Sequence, residues 1–418
     1  MFLFIALESI KNRKISILLV IFTLSLSVSL FLSVTRLSYA VKKSFENSIA
    51  GVDLIVGART GDMQLLLYTV FHQGLATNNI SVSTLDQIAK RKDVEWLVPI
   101  ALGDSHRGYR VIATTKSYFR YIKTNADGAG LDFKKGEPFE DPFDMVIGAE
   151  VAKKFNYQVG DLIKVTHGTA PKGKKHDDFS FKVSGILKRT GSPQDKALFM
   201  TLGAYEAIHI GWKSGQQVFS VSQSKIVEEA KNMLPSNVTA GYIGLVSPVT
   251  IFRTKQAITN NQIEALSAIL PGVTLARLWK MLISFESILS LISGFSILIA
   301  LIAFMTISII SLENRHREMT ILRSVGASPI HLVMLLILES SLVALAAIIV
   351  SLCFLWCLTW FGGKIILEYL GVQIGFDWVL PSELIVFLGF MACSLLATVP
   401  PCIKLYLQAI HKGLAAKL

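Results

Sequence analysis

Four stretches of this 418-residue chain, 15–35, 287–312, 340–363 and 384–403, carry no charged side chain. Each runs for about 20 residues or more, long enough to cross a hydrocarbon layer roughly 30 Å thick. Backbone exposed to lipid must satisfy its own hydrogen bonds, so each stretch has to be helical. Composition agrees, with 52% hydrophobic residues against 17% charged and a mean hydropathy of +0.52. The chain therefore reads as an integral membrane protein with four transmembrane helices.

Basic residues in the short connections orient such a chain. Lys11, Arg13 and Lys14 precede the first run, and Arg315, Arg317 and Arg323 separate the second from the third. Lys404, Lys412 and Lys417 follow the fourth. Four crossings put all three clusters on one side, which is the cytoplasm. The long segment from Arg36 to Lys280 then lies outside. Its excess of Lys and Arg reads as a basic solvated surface, with attraction to anionic lipid headgroups as the competing account. Ser38-Tyr39-Ala40 has the look of a signal cleavage site, but the run before it exceeds the roughly 7–15 residues of a signal core, so a retained span is expected. The four cysteines, Cys353, Cys357, Cys393 and Cys402, all belong to the last two runs. The outer segment must fold without disulfides. Cys353 and Cys357 sit one helical turn apart without His or acidic neighbours and read as packing residues.

The outer segment alternates strand-like and helix-like patterns. Residues 81–100 read as a short helix capped by Ser83 or Thr84, then a strand. Residues 108–115 read as a strand, and 144–168 as strand, helix, Gly-Asp turn and strand. Residues 179–191 read as a half-buried strand, and 197–210 as a strand running into a helix. This is a mixed α+β domain large enough for its own core. Helical patterns over 36–50 and 260–282 predict stalks joining it to the first and second spans. The predicted layout is an interfacial helix and first span (1–36), the extracytoplasmic α+β domain between spans one and two (37–281), and the second span (282–312). A cytoplasmic segment (313–328), third span (329–363), short outer loop (364–383) and fourth span with a cytoplasmic tail (384–418) complete it.

Several constellations invite chemistry. Residues 168–174 follow the G-x-x-x-x-G-K frame of a nucleotide loop, but Lys175 stands where Ser or Thr should meet Mg²⁺. A loop and strand follow instead of a phosphate-binding helix N-terminus. No ATPase site, and hence no bound cofactor, is expected on this chain. His167, His176, Asp177 and Asp178 are the nearest thing to a metal-ligand set, and their spacing fits no strong template, so a solvated Gly/Lys-rich loop is the expectation. Neither G-x-S-x-G nor H-E-x-x-H occurs, which argues against a hydrolase. Among carboxylates near the spans, Glu286 and Glu383 fall at run ends where water can reach them. Glu339 lies inside a continuous apolar helix, to hydrogen-bond across the bundle or to snorkel. Leu65, Leu66, Leu67, Tyr68, Val70 and Phe71, beside glycine turns, form a candidate substrate or partner surface; a buried core helix is the competing and favoured reading.

The most informative stretch is 311–332, SLENRHREMTILRSVGASPIHL, a polar island between two apolar runs. With the following helix it resembles the cytoplasmic loop and third span of the FtsX/MacB-like permeases of ABC transporters. Glu313, Arg317, Glu318, Ile321, Leu322, Arg323, Gly326, Ala327 and Glu339 match that pattern in order. Residues 6–28 resemble the family's interfacial helix and first span, and 146–165 resemble its outer core domain. The ending AIHKGLAAKL departs from the family's D-P-x-x-A-L-R. The resemblance implies that the island is a coupling helix docked on a separate ATPase subunit, which carries the ATP and Mg²⁺. It also implies a second permease copy or homologue, membrane lipid around the spans, and in some members a periplasmic partner protein; no nucleic-acid partner is implied. Motion would be transmitted across a bacterial inner membrane to the periplasmic domain, for export, lipoprotein or lipid extraction, or control of an envelope partner. An ATP-independent sensor of an envelope ligand is the alternative, although the short cytoplasmic segments leave no room for an output domain.

Overall fold

Alternating apolar side chains in the strand Leu54–Ala58 send Leu54, Val56 and Ala58 into one core and Ile55 into another, so this strand is buried on both faces. Ala197–Thr201 does the same, with Leu198 and Met200 on one side and Ala197 and Phe199 on the other. The computed structural model describes residues 2–123, 130–168, 178–213, 216–217, 223–314, 316–363, 365–366 and 379–411. It divides into two units, one of Met1–Ala40, Ile283–Ile366 and Ile374–Leu418, the other built on Val41–Leu282.

The second unit is organised by a mixed sheet of eleven strands among the described residues. Its main path runs Leu266–Ile269, Leu54–Ala58, Ala240–Leu245, Val94–His106, Tyr109–Thr114, Ala197–Thr201, Asp144–Ile147, Phe181–Leu187 and Phe133–Gly136. Tyr109–Thr114 pairs in parallel with Ala197–Thr201, as does Asp144–Ile147 with Phe181–Leu187. Helices Val82–Ala89, Ala149–Phe155, Leu202–His209, Gln223–Ala230 and Ile251–Thr259 contribute to one core. Asp62–Thr69 and Ser117–Tyr121 contribute to the other, which is rich in aromatics: Tyr118, Phe119, Phe139 and Phe199. The cap of Val82–Ala89 is Ser81, whose side chain accepts from the Thr84 N–H, two or three residues earlier than the sequence pattern suggested.

One candidate surface is set aside in favour of the core reading, and one expectation is corrected here. Leu65 and Leu66 are fully buried, Tyr68, Val70 and Phe71 nearly so, and Leu67 is half-buried. The stretch is core, because the helix Asp62–Thr69 lays this side against Ile55, Ile100 and Ile269 of the sheet. Residues 260–282 are not one helix. Leu266–Ile269 is an edge strand on Leu54–Ala58, and the helix begins only at Pro271, where a missing N–H costs nothing.

A buried carboxylate ties two parts of this unit together. Asp93 accepts hydrogen bonds from Arg91 Nε and Nη2 at 3.0 and 2.9 Å and from Thr254 Oγ1 at 2.7 Å. The Arg91 hydrogen bonds, opposed by burial and helped by Thr254, hold its pKa down at about 2. A depressed carboxylate contributes stability above its unfolded pKa and loses it as pH falls through the folded value. Asp93→Asn is therefore expected to cost on the order of 2 kcal/mol at neutral pH. The difference from wild type should shrink between about pH 4 and pH 2. Unfolding midpoints of the two proteins across that range test it; a gap independent of pH would refute the assignment.

Among the described residues, four helices are long and apolar enough to cross a membrane, Lys14–Asn47, Pro271–Glu313, Pro329–Gly362 and Pro381–Gln408, and most of their length falls in the other unit. A short helix, Phe2–Asn12, precedes them. Leu24, Val28, Leu32, Ala300, Phe304, Ala344, Ala347 and Phe390 pack together inside. Small polar side chains let the helices approach: Ser29 Oγ donates to the Ser351 carbonyl at 3.1 Å, and Ser296 Oγ donates to Ser27 Oγ at 3.2 Å. Outward faces keep exposed Leu18, Ile299 and Leu388, surface that hydrocarbon would cover. Cys353, Cys357 and Cys393 belong to that outer surface, and Cys402 is half-buried. Cys353 and Cys357 are therefore not the packing residues that the sequence suggested, because their helix turns this face away from the bundle core.

Candidate functional site

The polar island folds as a helix, His316–Ser324, after the long Pro271–Asn314 helix and before Pro329–Cys357. Its turn back is sharp. Gly326 takes φ +102°, a conformation that favours glycine, and its N–H bonds to the Arg323 carbonyl. Ser328 and His331 form a capping box at the start of the next helix, with Pro329 in its first turn. Leu322 and Ala327 face inward onto Leu312, Leu332, Leu336 and Leu405. Ile321 is 62% exposed and Val325 83% exposed, one turn apart. Leu322 thus anchors the island to its own bundle, and Ile321 and Val325 are the apolar side chains left outward. Glu313 pairs with Lys404, Arg323 is half-buried, and the side chains of Arg317 and Glu318 lie outside the described residues.

Two buried carboxylates within the helical unit, Glu339 and Glu383, are paired with arginines. Glu339, 5% exposed, accepts from Arg13 Nη2 at 3.0 Å, and the same nitrogen reaches Ser9 Oγ at 2.9 Å. Arg13 stands at the junction of Phe2–Asn12 and Lys14–Asn47, so the salt bridge fixes that junction to the third apolar helix. Arg13, Ser16, Ser308, Ser311, Glu339 and Ser340 line a cavity there. Glu383 corrects a further expectation. It is 2% exposed rather than solvated and accepts a fork of bonds from Arg36, Nε to Oε1 at 2.5 Å and Nη2 to Oε2 at 2.9 Å. The Leu380 N–H also donates to it at 2.9 Å. Such a bidentate pair satisfies both buried charges at once. The signal in the sequence was a lone Arg at the end of an apolar run, which by itself names no partner. Glu286 is exposed.

In the sheet unit a cavity lies among Phe45, Phe71, His72, Arg110, Gly191 and Lys196. Arg110 donates to the carbonyls of His72 and Gly74, and burial together with the Arg110 charge pushes the His72 pKa down to about 4. His72 is therefore neutral at physiological pH.

The His/Asp candidates are redistributed. His176 and Asp177 lie outside the described residues, and Asp178 is exposed. His167 is brought to Asp104 and His209, residues that sequence spacing could not associate. Burial lowers the His209 pKa, but its hydrogen bond to Asp104 and the charge there outweigh burial and leave it raised.

Among the described residues, four long apolar helices, a mixed α+β unit and a short helix between the second and third apolar helices define a membrane protein with a large folded domain. Residues 17–260 match the MacB-like periplasmic core domain, and residues 290–408 match the FtsX-like permease C-terminal family. The chain belongs to the FtsX/MacB-like permease family. Among solved structures it is similar to the periplasmic region of MacB from Actinobacillus actinomycetemcomitans, at 11% identity and a TM-score of 0.33, covering 55% of this chain and 95% of that one. It is also similar to the extracellular domain of the noncanonic ABC-type transporter YknZ from Gram-positive bacteria, at 12% identity and a TM-score of 0.30, covering 52% and 98%. No curated protein matches the chain.

Proposed function

We propose that this ABC-transporter permease couples ATP hydrolysis on a separate nucleotide-binding subunit to movement of the sheet unit on the far side of the membrane. The observation that supports it is the helix His316–Ser324 with Ile321 and Val325 exposed, while Leu322 and Ala327 of the same segment are turned into the bundle. A soluble partner could seat these two side chains in an apolar pocket, with Arg323 at the rim. Basic residues in the short connections support a cytoplasmic position for this helix, where ATP is available, and a periplasmic position for residues 41–282 of an inner-membrane protein. The family resemblance implies a second permease copy or homologue beside this chain. The continuous helices Lys14–Asn47 and Pro271–Asn314 extend beyond their apolar stretches, which suits them to carry displacement rather than absorb it. ATP and Mg²⁺ act on the partner, and the work done is export, extraction of a lipid or lipoprotein, or control of an envelope protein.

Ile321→Asp tests this reading. The variant is expected to insert into the membrane at wild-type level and to lose at least about tenfold of the co-purifying ATPase, since an apolar anchor contributes roughly 1–3 kcal/mol. Undiminished recovery of the ATPase, or recovery of no ATPase with the wild type in mild detergent, would overturn it. Leu322→Asp is not a substitute, because that side chain packs on Leu312 and Leu332 and its loss would disturb the bundle itself.

A further inference from the structure

We infer that Asp104, His167 and His209 form a site for a divalent transition metal, with Zn²⁺ the ion whose chemistry fits. His167 Nδ1 lies 3.3 Å from Asp104 Oδ1, His209 Nε2 lies 3.6 Å from the same oxygen, and the two nitrogens are 3.2 Å apart. Zinc bonds of about 2.0–2.1 Å to nitrogen and oxygen place neighbouring tetrahedral ligands about 3.3–3.4 Å from each other. The three atoms therefore outline one face of a tetrahedron. Two imidazoles and one carboxylate, with the fourth position left to water, is an established ligand set for zinc.

The supporting structure points the same way. Gly103 and Asp104 form a bulge opposite Val111, where the register between Val94–His106 and Tyr109–Thr114 shifts. Bulges re-aim side chains, and this one hands Asp104 to a different neighbour. Asp104 pairs instead with His167 across the two-residue strand Thr166–His167. That strand is held by the Gly168 N–H on the Gly103 carbonyl at 2.8 Å and by Ser105 Oγ on the Gly168 carbonyl at 2.6 Å. His209 arrives at the last position of Leu202–His209, and its Nδ1 donates to the Tyr205 carbonyl at 2.7 Å. This hydrogen bond fixes the tautomer that leaves Nε2 facing the carboxylate, the arrangement in which backbone carbonyls orient metal-binding histidines. Close packing completes the wall: the Tyr205 oxygen stands 3.1 Å from where a Cβ on residue 103 would be, and the Trp212 ring lies 5.2 Å from that of His167. Asp104 is 1% exposed while both histidines remain partly open, so an ion has a way in. Nothing in the coupling role requires this site, and neither claim depends on the other.

The full chain, purified in detergent, stripped with chelator and titrated with ZnCl₂, tests the inference. One zinc per chain is expected to bind saturably and to raise the unfolding temperature. Removal of an outer-shell partner typically weakens metal binding by about 10–100-fold, so His167→Ala or His209→Ala, which remove a ligand, should weaken it by about 100-fold or more. His167→Cys supplies a positive readout that does not depend on loss. Loaded with Co²⁺, it should show a thiolate-to-cobalt charge-transfer absorption absent from the wild type, which carries the other four cysteines unchanged. Absence of saturable uptake by folded wild type, or zinc binding unchanged in His167→Ala/His209→Ala, would overturn the assignment. So would a His167→Cys cobalt spectrum identical to the wild type.

Discussion

Replacing Arg36 by alanine is expected to destabilise the helical unit by about 3–5 kcal/mol, the cost of stranding a buried charge. Glu383 is 3% exposed at its side chain and has one other hydrogen bond, from the Leu380 N–H, which cannot neutralise its charge. Glu383→Gln should be nearly as damaging, because it leaves a guanidinium that is itself 4% exposed. Removing both charges is different. Arg36→Met with Glu383→Met takes away the desolvation penalty with the attraction and should recover most of the loss. Thermal unfolding of the purified variants in lipid nanodiscs gives the coupling energy as a double-mutant cycle. Single-variant losses below about 1 kcal/mol would mean that the pair behaves as a surface salt bridge.

Leu66→Ala is the second change with a large expected effect, about 2–5 kcal/mol, the range for emptying a buried leucine site. Leu66 is fully buried within the cluster of Ile55, Tyr118, Phe199 and Tyr242. Tyr242 Oη donates to the Thr69 carbonyl at 2.6 Å, holding this helix in place, so the site has little freedom to collapse. A partner surface would behave differently: truncation would weaken binding and leave the unfolding midpoint unchanged. The midpoint of the full chain distinguishes the two, and an unchanged value would restore the surface reading.

Much of the local structure was legible. Alternation over its first residues marked Phe181–Leu187, and an apolar pattern after glycine marked Tyr109–Thr114. Apolar length marked the four long helices, because no soluble core asks for so many consecutive uncharged residues. Leu266–Ile269 escaped notice because four residues carry too little periodicity to tell an edge strand from the approach to a helix. In the polar island, the sequence does not distinguish Ile321 from Leu322. Adjacent positions on a helix point about 100° apart, and packing against Leu312 and Leu405 turns Leu322 inward and leaves Ile321 exposed.

Membrane class, helix count and the charge asymmetry that orients them depend on runs of neighbouring residues, and such runs are complete in the sequence. Ionic and ligating partnerships are not of that kind. Arg36 meets Glu383 across 347 positions, and Asp104 meets His167 only because a bulge turns it away from Val111. His209 joins them from the end of a helix that local pattern foretold, with a destination that pattern did not contain. Periodicity tells which way a side chain faces on its own element. Packing decides what it then finds, and a charge near an apolar run acquires its meaning only from the group placed opposite.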